Sequence, residues 1–154
     1  LKFLEGKTFF ITGATGFLAK VLVEKILREQ PRTKHIYLLI QPTKNESSAG
    51  RLASQMENSP VFQTLRDQHQ HGFKEFIASK VTAVAGNIQL DNLGMDPETL
   101  ATLQEEVDVV VNSAASTKFD ERYDTAVQVN TLGPGRVLRF AQTCRNAQLL
   151  VHYS

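Results

Sequence analysis

The segment that most constrains this chain is Thr12-Gly13-Ala14-Thr15-Gly16-Phe17-Leu18-Ala19, set between an apolar run and an amphipathic one. Phe9-Phe10-Ile11 before it reads as a short buried strand. After it, Leu18, Val21, Leu22, Ile26 and the neighbouring Val23 and Leu27 recur at helical spacing until Pro31 forbids continuation. The pattern therefore predicts a helix over 17–29. A glycine-rich turn that ends a strand and opens a helix is the confirming context for a dinucleotide site. Gly13 permits a tight turn without a Cβ penalty, and Gly16 lets the backbone approach a pyrophosphate. The small Ala19 lets the helix pack closely on the sheet. The helix start adds free N–H groups and the positive end of its dipole. The competing reading is a turn whose glycines only relieve strain. Thr12, Gly13, Thr15, Gly16, Phe17 and Leu18 are the first candidate cofactor contacts.

Further strands follow at regular intervals. His35-Ile36-Tyr37-Leu38-Leu39-Ile40 is the second, 81–85 the third and the almost wholly β-branched 107–111 the fourth; Leu149-Leu150-Val151 begins a fifth. Asp96-Pro97 reads as an N-cap followed by proline at the first helical position, opening a helix to about Glu105. A long helix is predicted over 124–145, with Val127, Asn130, Val137, Leu138, Ala141 and Cys144 available for its inner face. Gly133-Pro134-Gly135 inside it predicts a kink or break there. Such alternation implies an α/β, doubly wound parallel sheet of the Rossmann type, in the order 3-2-1-4-5. Residues 42–80 carry no strand-like run and only weak helical patterns at 48–56 and 61–69. An excursion this long between strands reads as a family-specific insertion or a functional surface. Residues 1–154 thus read as one NAD(P)-binding domain with five strands. Because the chain begins at Leu1 and stops inside a strand-like run, it is read as part of a longer protein whose carboxyl-terminal part is missing.

Composition removes several function classes. Apolar residues at 42% and charged residues at 21% describe a globular domain. A net charge of +1 with no basic block argues against nucleic acid as a partner. No apolar run approaches the roughly 18 residues of a membrane span. The single cysteine, Cys144, cannot form an internal disulfide and reads as a small buried helix residue. His69 and His71 have no cysteine or acidic partners at metal-ligand spacing, so no metal site is expected and both read as surface residues.

The strand ends carry the remaining candidates. The second strand ends at Gln41 with no acid until Glu46, and a carboxylate there would bond the ribose 2′-hydroxyl. Its absence points to NADPH without excluding NADH, with Lys44 and Arg51 as the available positive charges. Asn87 can contact the adenine edge and Ile88 can pack on the ring, while a plain strand-to-loop turn is the alternative. Ala114 and Ala115, after the fourth strand, leave room for ribose and nicotinamide at the sheet's carboxyl edge.

In this register the chain resembles the fatty acyl reductases, a branch of the extended short-chain dehydrogenase/reductases. The resemblance is carried by Gly6-Lys7-Thr8, the glycine turn through Lys20, Val23-Glu24-Lys25-Ile26-Leu27 and Lys118-Phe119-Asp120-Glu121-Arg122-Tyr123-Asp124. Asn130-Thr131-Leu132-Gly133 and Val151-His152-Tyr153-Ser154 complete it. Asn112-Ser113-Ala114-Ala115 and Thr131-Leu132-Gly133-Pro134 are most similar to the plant male-sterility branch. The resemblance implies NADPH-dependent reduction of a fatty acyl thioester, carried on CoA or acyl carrier protein, to a fatty alcohol, with a plastid location. It implies a basic residue where Gln41 stands and Asp where Asn87 stands, so both are departures. It also implies a catalytic Ser/Thr beyond Ser154, followed by a Tyr-x-x-x-Lys pair. Tyr37 and Tyr123 are followed at that spacing by Gln41 and Val127, and Tyr153 by the end of the chain. The chain is therefore expected to hold the cofactor half and to be inactive alone. Asn130 is the one supporting catalytic candidate, implied to hold a water near the catalytic lysine, and Lys118 a candidate at the nicotinamide end. The rival readings are the cofactor half of another extended reductase or epimerase, and a truncated non-catalytic nucleotide binder.

Overall fold

Continuous apolar runs need cover on both faces, and the sheet supplies it. The computed structural model describes residues 2–153. Strands β1 (Thr8–Thr12), β2 (His35–Ile40), β3 (Val81–Ala85), β4 (Val109–Asn112) and β5 (Leu149–His152) form one sheet in the order β3-β2-β1-β4-β5. All four pairings are parallel, in the expected order. Every residue of the central strand β1 is buried. Phe9 and Ile11 enter one core with Ala19, Val23, Ile26 and Leu27 of α1 (Phe17–Glu29). Phe10 enters the other and meets Phe140 with ring centroids 4.6 Å apart. This two-period alternation gives one strand two cores.

The 42–80 crossover folds as α2 (Ser48–Asn58), α3 (Gln63–His69) and α4 (Phe73–Lys80). The weak patterns at 48–56 and 61–69 correspond to α2 and α3, while α4 has no counterpart in the sequence reading. It is only eight residues long, and Phe73 and Ile77 are its buried positions. These helices are part of the structural core. Leu52, Met56, Phe62, Leu65, Phe73 and Ile77 share one cluster with Phe9 and Ile11, and Phe62 and Leu65 are fully buried. His69 stacks on Phe76 at 3.8 Å between ring centroids.

Helix α5 (Pro97–Glu106) starts as expected, with the Thr99 N–H donating to Asp96 Oδ1 at 2.9 Å and Pro97 in the first turn. The predicted 124–145 helix is instead three pieces: α6 (Tyr123–Val127), a π-helical turn over Gln128–Leu132, and α7 (Gly133–Thr143). The irregularity lies one turn before the expected break at Gly133-Pro134-Gly135. Pro134 has no N–H to give the Asn130 carbonyl, and a widened turn absorbs that missing bond. Gly133 then lies where a Cβ would come within 2.9 Å of Ile88 Cδ1. Cys144 caps α7 and is buried; burial pushes its thiol up to about 11.

Tyr37 on β2 ties the sheet to the end of α5, its Oη donating to Glu106 Oε2 at 2.7 Å. Burial first, and then the Glu106 carboxylate, push its phenol up from the ordinary 10 to about 12. A folded-state value above the unfolded one means that this contribution is complete below pH 10 and is lost as pH rises towards 12. Denaturant titrations across that window are expected to show Tyr37→Phe losing less stability with rising pH than the wild type. Parallel losses would contradict the assignment.

Candidate dinucleotide cleft

The cleft opens at the carboxyl edge of the sheet, where β1, β2, β3 and β4 hand over to their loops. About 350 Å³ in volume, it is lined by Gly13, Ala14, Thr15 and Gly16 from the first turn and by Gln41 and Arg51 beyond β2. Asn87, Ile88 and Gln89 line it beyond β3, Ser113, Ala114 and Ala115 beyond β4, and Val129 from the π turn. Nine of the candidate cofactor residues converge here: Gly13, Thr15, Gly16, Gln41, Arg51, Asn87, Ile88, Ala114 and Ala115.

Gly13 has φ +70°, and a Cβ on it would lie 2.5 Å from Ser113 O and 2.7 Å from Ala114 N. The first turn is thus pressed against the β4 loop with no space for a side chain. Gly16 is the N-cap of α1 and no side chain caps the helix, so its first-turn amides stay available to an anion.

Arg51 reaches the cleft because one serine fastens α2 to β2 and another caps the helix. Ser48 Oγ donates to Ile40 O at 2.6 Å, and Ser47 Oγ accepts from Gly50 N at 3.1 Å. Arg51 Nη1 then donates to the Gln41 carbonyl, which holds the guanidinium at the strand's end. Arg51 is the one charged side chain among the described residues lining the cleft. Lys44 stands exposed, outside it. Asn87 Oδ1 accepts from Gln89 N at 2.9 Å, which leaves its NH₂ group for a ligand.

Five candidates, four for the cofactor and Asn130, lie elsewhere. Thr12 is buried behind the turn; its Oγ1 donates to Asn112 Oδ1 at 2.5 Å and accepts from Ala114 N at 3.3 Å. It braces the β4 loop and does not line the cleft. Phe17 and Leu18 turn their side chains outward, 73% and 47% exposed, so only their backbone N–H groups face the helix start. Lys118 is exposed on the loop before α6 and outside the lining. Asn130 lines the neighbouring cavity, but its side chain is occupied: Oδ1 accepts from Ser116 N at 2.8 Å and Nδ2 donates to Ser116 O at 3.0 Å. Gln89 and Val129 line the cleft without having been singled out; Gln89 follows Asn87 by two residues, and Val129 depends on the π turn that the sequence pattern does not reveal. Ser154, in the resemblance motif, lies outside the described residues.

No helix of the described residues is long and apolar enough to cross a membrane. Among known proteins, the chain is 43% identical over its whole length to the fatty acyl-CoA reductase 2, chloroplastic, of Arabidopsis thaliana, covering 25% of that protein. It is 41% identical, again over its whole length, to the alcohol-forming fatty acyl-CoA reductase of Simmondsia chinensis, covering 31% of it. The chain therefore spans a quarter to a third of these relatives. Among solved structures, the terminal R domain of the myxalamid PKS-NRPS biosynthetic pathway superposes with a TM-score of 0.74 at 26% identity, over 96% of this chain and 34% of that one. Residues 11–154 match an NAD-binding family described as male sterility protein. With a cleft built for a nicotinamide dinucleotide and a match over nearly its whole length, the chain belongs to the male sterility protein family of NAD-binding domains.

Proposed function

We propose that this chain is the cofactor-binding part of an NADPH-dependent reductase that converts a fatty acyl thioester to a fatty alcohol. The relatives' names support the reaction, and Arg51 carries the choice of cofactor. A lone cation at the end of β2, with no carboxylate in the lining, suits a ribose 2′-phosphate and offers nothing to a free diol. Arg51 also accounts for Gln41: the charge missing from the strand end is supplied from α2. The remaining contacts follow from the lining. Gly13, Thr15, Gly16 and the N–H groups of Phe17 and Leu18 hold the pyrophosphate, Asn87 and Ile88 the adenine, and Ala114 and Ala115 make room for ribose and nicotinamide. Asn130, its side chain held on the Ser116 backbone beside the neighbouring cavity, is the supporting residue at the reactive end of the site. In reduced form the dinucleotide supplies hydride, two per thioester taken to alcohol with release of the carrier thiol. The chloroplastic relative supports a plastid location.

Arg51→Gln is expected to weaken NADPH binding by about 1.5–3 kcal/mol, roughly ten- to a hundredfold, and to leave NADH unchanged. Equal effects on both dinucleotides would remove the 2′-phosphate assignment. For the reaction, the whole protein supplied with NADPH is expected to form fatty alcohol from a fatty acyl thioester of CoA or of acyl carrier protein. Formation of neither aldehyde nor alcohol from either donor would sink the reading.

A further inference from the structure

Thr12, Asn112 and His152 stand side by side at the carboxyl ends of β1, β4 and β5, paired in register across the three strands. Thr12 and Asn112 are almost wholly buried in an otherwise apolar part of the sheet, where each polar group needs a partner. The hydrogen-bond directions in this row are fixed from one end. Thr12 Oγ1 accepts from Ala114 N–H and donates its own hydrogen to Asn112 Oδ1, 2.5 Å away. That separation suits O–H···O and is short for N–H···O. The Asn112 amide oxygen therefore faces Thr12, and its NH₂ faces His152. Nδ2 lies 3.0 Å from His152 Nδ1, which must accept. The proton of the neutral imidazole then sits on Nε2.

His152 lines a cavity of about 300 Å³ together with Ser116, Asn130, Pro134 and Tyr153. This cavity shares Ala114 and Ala115 with the dinucleotide cleft and none of the residues at its adenine end. The Asn130 amide is already engaged by the Ser116 backbone, and Ser116 Oγ donates to Glu121 Oε2 at 2.9 Å. Among the described residues, the His152 ring makes no second hydrogen bond.

We propose that His152 is a tautomer-fixed hydrogen-bond donor that takes a carbonyl oxygen at the nicotinamide end of the cleft. That oxygen belongs either to the dinucleotide carboxamide or to the acyl thioester, and the inference rests on the reductase reading above. The opposite tautomer would turn a lone pair towards the same oxygen and repel it. His152 is thus a specificity-determining residue, and Thr12 and Asn112 are positioning residues that act through it.

Imidazole ¹H–¹⁵N correlation spectra of the labelled chain test this directly. The expected neutral form has Nε2 protonated and Nδ1 bare; a ring protonated on Nδ1, or an even mixture, overturns the proposal. NADPH, 2′,5′-ADP and an acyl N-acetylcysteamine thioester are then added in separate arms. A shift of Nε2 with NADPH but not with 2′,5′-ADP assigns the carboxamide. A shift that requires the thioester assigns the acyl carbonyl. If neither moves Nε2 while the amides of Gly13 and Gly16 respond to NADPH, this inference fails and the dinucleotide reading stands. If nothing responds anywhere, both fail. Asn112→Asp, whose carboxylate accepts from both neighbours, is expected to move the proton to Nδ1 and to weaken the ligand that shifts Nε2 by about tenfold. His152→Leu, which removes the ring, is expected to give the same loss, and His152→Gln, which keeps both an acceptor for Asn112 and an N–H donor, to retain most of the affinity. Equal affinity for all three variants would refute the role.

Discussion

Alanine at position 13 is expected to abolish dinucleotide binding and to cost the fold about 3 kcal/mol or more. Two independent terms add. A non-glycine residue at φ +70° gives up about 1–2 kcal/mol to the left-handed conformation itself. The new methyl would also sit 2.5 Å from Ser113 O, 2.6 Å from Ser113 C and 2.7 Å from Ala114 N. All three are backbone atoms, so no rotamer change relieves the overlap and the loop beyond β4 has to move. That loop carries Ala114 and Ala115, so the damage reaches the middle of the cleft. Gly16→Ala is the internal control. Its φ is −76°, and its Cβ would meet only Gly13 O, at 3.1 Å. A stability loss under about 1 kcal/mol is expected there, in the range of ordinary N-cap substitutions. Equilibrium denaturation of both variants checks the contrast; Gly13→Ala unfolding with the wild-type midpoint would refute it.

Phe62→Ala is expected to destabilise the chain by about 3–5 kcal/mol, as large-to-small changes at filled core positions do. Phe62 lies in the crossover between β2 and β3, in a short turn over Pro60–Phe62, yet it is 0% exposed and belongs to the cluster that contains Phe9 and Ile11. A surface insertion would tolerate the change with little effect. Denaturant midpoints therefore decide whether 42–80 is a passenger or a structural part of this domain. Arg66, whose Nη1 donates to Met56 O at 2.7 Å and Nη2 to Ser59 O at 3.0 Å, fastens α3 to the end of α2. Losing Phe62 should loosen that junction and carry the effect towards Arg51 on α2, so weaker NADPH binding is expected alongside the lost stability.

Much of this arrangement was legible in the residues, for reasons that differ from element to element. Phe9-Phe10-Ile11 could only be a strand covered on both faces, and the glycine turn could only follow it. The order of the strands then followed from right-handed crossovers. The cleft's glycines, Asn87, Ile88 and the alanines beyond β4 were legible because backbone position at a strand end determines their place. Side chains whose place depends on tertiary packing were not. Thr12 looks like a contact residue because it adjoins the turn, but strand alternation turns it into the sheet towards Asn112. Asn130 looks like a site amide, but from the π turn its side chain bonds the Ser116 backbone. Arg51 could have been any solvated arginine; only Ser48, fastening the start of α2 to the end of β2, brings it to the cleft. Helix α4 was missed because eight residues with two buried positions give little periodicity to read.

The central claim is that this chain alone forms a dinucleotide site selective for a 2′-phosphate. Equilibrium titration of the 154-residue chain with NADPH and with NADH, followed by nicotinamide fluorescence, tests it most directly. Saturable one-site binding of NADPH, tighter than that of NADH and displaced by 2′,5′-ADP, is the predicted result. Failure of both dinucleotides to bind up to millimolar concentration would contradict the account.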